Sequence, residues 1–171
     1  MKKEYTFEKI NMSLDEFSAL IRENRDDVYF VAAMTVIAYC NYKYDRNLCF
    51  DMINELKNPK DPISVYEKQF ARDRLEGKEY KPFSFLHGAI PENGYKPTTP
   101  YIISVHYNNN SFEDEGWGKI LMHSYGADSY REIKLRQKRS TGEWFLVEQL
   151  ILADIREPAI GTVDNSADIW G

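Results

Sequence analysis

The order of apolar and polar residues along the chain predicts helices in its first half and strands in its second half. Over residues 13–76, apolar side chains recur every three or four positions, which is typical of helices. Over residues 101–153, apolar and polar side chains alternate, as they do in strands with one buried face. The pattern therefore predicts four helices followed by four strands.

Capping residues mark the starts of the predicted helices. Ser13-Leu14-Asp15-Glu16 and Ser64-Val65-Tyr66-Glu67 have the form of capping boxes, in which serine and glutamate satisfy each other's backbone amides. Asp26 and Asp27 can cap a helix that begins at Val28 and is apolar nearly all the way round. We expect this second helix to lie at the centre of the core.

A hairpin near the C-terminal end gives the clearest strand signal. Tyr130–Gln137 and Trp144–Ala153 form its arms, and Ser140-Thr141-Gly142 has the composition of its turn. Two further strands, Tyr101–Tyr107 and Lys119–Tyr125, precede this hairpin. The four strands are expected to form one antiparallel meander.

The expected architecture is a single α+β domain over residues 1–158. Its helical layer (13–76) packs on the four-stranded sheet (101–153), and a proline- and glycine-rich crossing segment (77–100) joins them. The alternative architecture is a curved sheet of the NTF2/cystatin-like type. Residues 159–171 are interpreted as a C-terminal tail, whose Trp170 either docks on the domain or contacts a partner.

Composition narrows the classes of function. A formal charge of -5 and a pI near 5.3 argue against a dedicated nucleic-acid binder. Cys40 and Cys49 are the only cysteines and are interpreted as buried free thiols in a reducing compartment. The longest apolar run, Val28–Cys40, is shorter than the roughly 20 residues that span a bilayer. We therefore expect a cytoplasmic protein with neither a nucleic-acid nor a membrane partner.

The last predicted strand is apolar on both faces. One face comprises Trp144, Leu146, Leu150 and Leu152, and the other comprises Phe145, Val147, Ile151 and Ala153. One face meets the helices, and the other needs a cover: the first helix, the tail, a second subunit or the wall of a cavity. The resulting candidate interaction surface consists of Trp144, Leu146, Leu150, Leu152 and Trp170.

Basic residues on the first hairpin arm are expected to find partners on the second arm. The predicted pairs are Arg139 with Glu143, Lys138 with Trp144, Arg136 with Leu146 and Lys134 with Glu148. Cation–π and opposite-charge contacts would then satisfy these cations within the hairpin. This pairing favours an ordinary surface over a nucleic-acid platform.

The three histidines, His87, His106 and His123, are the first candidates for chemistry. Pairing the strands about the middle of the intervening loop places His106 opposite Ile120, which staggers His106 and His123 by about three positions. That separation argues against a shared metal. A candidate pocket consists of His106, Tyr107, Trp117 and His123.

Other chemical motifs are weak or missing in the sequence. The loop over residues 108–116 is rich in oxygen ligands but lacks the spacing of an EF-hand, so we interpret it as a solvated acidic turn. There is no nucleophile elbow, phosphate loop or dinucleotide fingerprint. We therefore expect no metal or cofactor and a non-catalytic interaction or scaffold module, with a protein partner or a second copy as its ligand. The alternative is a small-molecule-binding protein or enzyme with a pocket between a curved sheet and helices.

Six stretches of the sequence carry a resemblance to one known family: Pro62–Arg74, Pro91–Tyr95, Pro100-Tyr101, Gly142–Leu146, Asp154–Pro158 and Asp168–Gly171. Together they resemble a domain-of-unknown-function family of small proteins from anaerobic Firmicutes. The chain departs from that family's pattern around residues 36–42 and at its last residues, where Asp-Pro-Trp-Ala is expected. The resemblance implies a single domain and carries no activity, cofactor or catalytic residue to any position.

Overall fold

In a computed structural model, which describes residues 1–159, one antiparallel sheet packs against a layer of helices. The α-helices in this part of the chain are α1 (Leu14–Asn24), α2 (Val28–Cys40), α3 (Arg46–Leu56) and α4 (Val65–Leu75). The strands are β1 (Lys2–Phe7), β2 (Tyr101–His106), β3 (Trp117–Met122), β4 (Arg131–Lys138) and β5 (Glu143–Gln149). The mixed α+β class is therefore confirmed.

The predicted helix caps are confirmed. The Ser13 hydroxyl accepts a hydrogen bond from the Glu16 amide at 3.1 Å, and the Glu16 carboxylate accepts one from the Ser13 amide at 3.2 Å. Ser64 and Glu67 form the same box at the start of α4. The Asp27 carboxylate accepts from two backbone amides in the first turn of α2, at 3.0 and 3.2 Å. These local contacts begin α1, α2 and α4 where the sequence predicts them.

Helix α2 forms the centre of the core, as its all-round apolar sequence predicts. All of its residues except Tyr29 are buried, and it contacts α1, α3 and all five strands. Cys40 at its end and Cys49 in α3 are both buried free thiols, which confirms that prediction. Neither α2 nor any other helix within residues 1–159 is long and apolar enough to cross a membrane.

The sheet has five strands in the order β1-β2-β3-β4-β5, so the prediction of four strands is wrong by one. The missing strand is β1, which adds to the outer edge of β2. Its Tyr5 and Phe7 rings pack against Phe30 of α2, while Lys2 and Glu4 lie on the other face. The sequence did not predict β1, because this short strand begins with charged residues and has too few apolar residues to show alternation.

Strands β2 and β3 pair over only a short distance and then diverge. Their two residue pairs are Val105 with Met122 and His106 with Leu121. Beyond them, the segment over residues 84–87 lies between the two strands. The His87 amide donates to the Ile102 carbonyl at 3.0 Å, and the Tyr125 amide donates to the Ser84 carbonyl at 2.8 Å. We refer to this divergence as the split of the sheet.

The β4–β5 hairpin pairs one residue out of the predicted register near its turn. The observed pairs are Lys138 with Glu143, Arg136 with Phe145 and Lys134 with Glu148, of which only the last was predicted. A four-residue loop closes the hairpin, and Gly142 in that loop has a φ of 77°, which favours glycine. A β-bulge at Val147 then restores the predicted register.

The register changes the partners of the basic residues. The Lys134 ammonium and the Arg136 guanidinium each lie 4.8 Å from the ring centre of Trp117 in β3. Trp144, the predicted partner of Lys138, instead points into the core. Cation–π contacts are therefore present, but β3 supplies the aromatic ring.

Strand β5 ends at Gln149, four residues before the predicted end of this arm. The Gln149 side chain accepts a hydrogen bond from the Ile151 amide at 2.9 Å and turns the chain. Ile151 and Leu152 are consequently both buried, although the predicted alternation placed them on opposite faces. Side chains alternate between the two faces only where the backbone is extended, so the predicted alternation fails after Gln149.

Candidate functional site

The predicted interaction residues separate into core and surface. Trp144, Leu146 and Leu152 are buried in the core, where α2 packs against β5. The Leu150 side chain is 50% exposed. Trp170 lies outside the described residues. Among the candidates that the structure describes, Leu150 is therefore the one available for contact with a partner.

Two cationic side chains cover the outer edge of β5. The Arg25 guanidinium donates to the Trp144 carbonyl at 3.2 Å and lies 4.6 Å from the ring centre of Phe145. The Lys57 ammonium donates to the Val147 carbonyl at 3.4 Å. Because these cations occupy backbone acceptors, another strand cannot pair freely with this edge. The edge of β5 is thus covered from within the chain, and Arg25 also covers the Phe145 ring on the second face.

A groove of about 440 Å³ lies between α4 and β5. We call it the α4–β5 groove, and its lining residues are Tyr39, Ile53, Tyr66, Glu67, Phe70, Leu146, Val147, Glu148, Gln149 and Leu150. Tyr39 and Ile53, both buried, belong to the central helices α2 and α3 and form its floor. One wall is the exposed side of α4, and the other is the bulged end of β5.

Large apolar side chains are unusually exposed along this groove. Tyr66, which lines the groove, is 77% exposed, and its neighbour Val65, which lies outside the lining, is 83% exposed. The Tyr66 ring lies 6.5 Å from that of Phe70, one turn further along α4. Leu150 faces the groove from the other wall. Grouped exposure of this kind typically marks a contact surface.

The rim of the groove is acidic. Glu67 lies 3.6 Å from the Lys57 ammonium, so its charge is partly neutralised. Glu148 is exposed and has no ion pair within 4 Å among residues 1–159, and Lys134 lies across from it on β4. An apolar floor beneath an acidic rim favours a ligand with both apolar and basic groups.

The structure brings together only two of the four predicted pocket residues. His106 pairs with Leu121, so His123 lies two positions further along and on the same face, and the predicted three-position stagger is wrong by one. The two imidazole centres are 6.3 Å apart. Tyr107 instead packs on Tyr29 of α2, with ring centres 4.8 Å apart.

Trp117, the fourth predicted pocket residue, is held by Lys134 and Arg136 on the β3–β4 surface. It lines a separate groove of about 650 Å³ with Phe145 and the hairpin turn. No ring contact joins Trp117 to His106 or His123 within the described residues. The four residues do not form one pocket.

A larger cluster surrounds the two histidines at the split of the sheet. We call it the histidine cluster, and its members are His87, Ser104, His106, His123, Tyr125 and Tyr130. The nearest ring centres are those of His123 and Tyr125 at 4.8 Å and of His106 and Tyr130 at 5.0 Å. The His87 Nε2 atom lies 2.6 Å from the Ser104 hydroxyl. Alternation along β2 is enough to predict from the sequence that Ser104 and His106 share a face. The position of His87 beside them cannot be predicted in this way, because it depends on tertiary contacts.

Electrostatics in the histidine cluster favour the neutral form of His106. Burial lowers the pKa of His106, and the nearby His123, Lys2 and N-terminal amino group lower this pKa further. Within residues 1–159, no three or more His, Cys, Asp or Glu side chains converge in a way that could hold a metal ion. The cluster thus combines proton-binding groups without a metal-ligand arrangement.

Comparisons with known proteins give a family but no described activity. No curated protein and no solved structure matches the chain, so the NTF2/cystatin-like alternative stays a prediction. A family model matches residues 9–159, which extend from just before α1 to the end of the described chain. The resemblance to a family of unknown function is thereby confirmed. The chain belongs to the family described as Domain of unknown function (DUF6935).

Proposed function

We propose that the protein is a non-catalytic interaction module of the cytoplasm, which binds a short segment of a partner protein in the α4–β5 groove. One observation carries this proposal: Tyr66 and Leu150 are 77% and 50% exposed on the two walls of a groove with a buried apolar floor. Exposed aromatic and apolar side chains around a depression are the usual anchors of protein contacts. The free energy gained on binding would come mainly from removing these side chains from water.

The polar groups of the groove support binding over catalysis. Glu67 is already engaged by Lys57 and by the capping box with Ser64. Glu148 stands at the solvent-exposed rim. The described residues that line the groove include no histidine, serine or cysteine, so the Ser–His and Cys–His pairs of nucleophilic catalysis are missing from this lining.

The partner segment is expected to combine an apolar anchor with a nearby lysine or arginine. The anchor would pack between Tyr66 and Leu150, and the basic side chain would approach Glu148. The negative charge of the whole chain, formally -5, would also favour the approach of a basic segment.

Selection from a random peptide display library tests this proposal and requires no identified partner. Peptides retained by the wild-type protein should share an apolar residue within a few positions of a basic residue. The Tyr66→Ser/Leu150→Ser variant should lose at least about tenfold in affinity for them, since burial of each large side chain is worth roughly 1.5–3 kcal/mol. Fluorescence anisotropy of the selected peptides measures that loss.

Tyr44→Ser is the matched control, because Tyr44 is another exposed tyrosine, at 47%, and does not line the α4–β5 groove. Its affinity for the selected peptides should equal that of the wild type. Equal binding by the Tyr66→Ser/Leu150→Ser variant would refute the proposal, as would a selection that yields no common motif.

We further propose the setting in which this module acts. The domain would span residues 1–158 and occur in bacteria, with anaerobic Firmicutes as the source of the family. Its acidic charge supports a protein partner over a nucleic acid or a membrane surface. A second copy of the chain is the alternative partner, and a small-molecule-binding protein or enzyme stays the alternative function.

A further inference from the structure

All three histidines of the chain meet at the split of the sheet, although they come from three separate segments. His106 ends β2, His123 follows β3, and His87 belongs to the segment inserted between these strands. The His106 and His123 rings are 6.3 Å apart in an edge-to-face arrangement. The proton-binding side chains therefore concentrate at one place in the fold.

This place is also the least extensively paired junction of the sheet. β2 and β3 share two residue pairs, whereas β1 and β2 share six, as do β3 and β4. One of the two pairs contains His106 itself. A small change in the free energy of this junction can therefore separate β2 from β3 locally, while the longer pairings hold.

The neighbouring strands β1 and β4 bring charged groups close to His106 and His123. From β1, Lys2 lies directly across from His106, and the N-terminal amino group is close enough to lower the His106 pKa. Glu4 forms an ion pair with Lys2 at 3.2 Å. From β4, Glu132 lies across from Leu121. The other neighbours of the two rings are His87, Tyr125 and Tyr130.

We propose that His106 and His123 form a pH-sensitive latch, which holds the split closed when both imidazoles are neutral and opens it when both are protonated. Two imidazolium rings in edge-to-face contact would repel each other and the Lys2 ammonium. Separation of β2 from β3 would hydrate both rings and relieve this repulsion. The remainder of the sheet would stay folded.

The direction of the pH dependence follows from proton linkage. The closed state lowers the pKa of His106, mainly through burial, so the open state binds protons more tightly. The closed state is therefore favoured above the ordinary histidine pKa of about 6.5 and loses this advantage as the pH falls below it. Opening should begin below about pH 6.5.

Backbone amide exchange in the full chain tests this latch. Protection factors, corrected for the intrinsic effect of pH, are measured at pH 7.5 and pH 5.5. His106 and Leu121, whose amides point across the β2–β3 junction, should lose roughly tenfold of their protection at the lower pH. Val105 and Met122, whose amides point toward β1 and β4, should keep theirs. Amides that pair β4 with β5 should keep theirs.

The His106→Gln/His123→Gln variant should show no such selective loss. His87→Gln is the control, because it alters a histidine of the same cluster outside the proposed pair, and it should retain the wild-type response. An unchanged profile in the wild type, or an equal loss across β4 and β5, would overturn the latch. If the double variant does not fold, the wild-type exchange profile and NMR titration of its two imidazoles decide the question, and an unperturbed pKa at both rings contradicts the proposal.

Discussion

The Lys57 ammonium donates a hydrogen bond to the Val147 carbonyl oxygen over a distance of 3.4 Å. Lys57 also lies 3.6 Å from the Glu67 carboxylate, although the lysine side chain is only 2% exposed. It thereby joins the bulge of β5 to the first turn of α4, which are the two walls of the α4–β5 groove.

Lys57→Met is therefore expected to destabilise the protein. The methionine keeps most of the apolar stem but leaves the Val147 carbonyl without its donor, which costs about 1–3 kcal/mol. Urea unfolding measures the free energy of unfolding. Lys60→Met is the control at an exposed position and should change that free energy by less than about 0.5 kcal/mol. Equal stabilities of the two variants would contradict the role of Lys57.

Asp27 links two elements of the fold. Its carboxylate caps α2 and also accepts a hydrogen bond from the Tyr5 hydroxyl of β1 at 2.6 Å. Asp27→Ala should lower the free energy of unfolding by about 1–2 kcal/mol through loss of the cap. Asp26→Ala removes an exposed carboxylate next to it and should have little effect. The prediction fails if both alanine variants unfold at the same urea concentration as the wild type.

Ionisation of the Tyr42 hydroxyl is expected to make the free energy of unfolding depend on pH in the alkaline range. Burial, and then the 2.6 Å hydrogen bond donated by its hydroxyl to Glu76, raise the pKa of Tyr42 to about 12. An unfolded tyrosine ionises near pH 10, so this contribution is complete below pH 10 and is lost as the pH rises toward 12.

Tyr42→Phe should therefore reduce the decline of the unfolding free energy between pH 10 and pH 11.5. Urea unfolding at several pH values in this interval measures the decline. Tyr66→Phe, at an exposed position of α4, should decline as steeply as the wild type. If Tyr42→Phe shows the wild-type slope, Tyr42 ionises no differently in the folded and unfolded chains.

The two thiols are expected to be unreactive in the folded protein. Cys40 and Cys49 are fully buried, and burial raises the pKa of both thiols, which suppresses the reactive thiolate. A chromogenic thiol reagent should modify neither cysteine at pH 8 in native buffer and both in denaturing urea. Rapid modification of the native protein would show that α2 and α3 are less tightly packed than described.

Local signals in the sequence were sufficient for most helices and for the β4–β5 hairpin. The box of Ser13 with Glu16 depends on residues three positions apart, so the sequence contains all the information needed to place it. The β5 register was one residue wrong near the turn, because a four-residue loop and the bulge at Val147 offset each other only farther along the strand. That error placed Trp144 opposite Lys138 when it belongs to the core.

The candidate site depends more on contacts between distant residues. Leu150 was predicted as a surface residue, but Tyr66 was not, because nothing in a capping-box sequence indicates which strand lies beside the helix. The N-terminal strand was missed because its alternation is concealed by Lys2, Lys3 and Glu4. The histidine cluster similarly requires His87 to enter between β2 and β3, a position that only the tertiary fold defines.

An NMR titration of the isotope-labelled protein with a selected peptide measures the location of the proposed interface most directly. We predict that the largest chemical-shift changes map to Tyr66, Phe70, Val147 and Leu150, and that Tyr66→Ser/Leu150→Ser abolishes them. Changes confined to the histidine cluster, to the Trp117 surface or to the surroundings of Tyr44 would contradict binding in the α4–β5 groove.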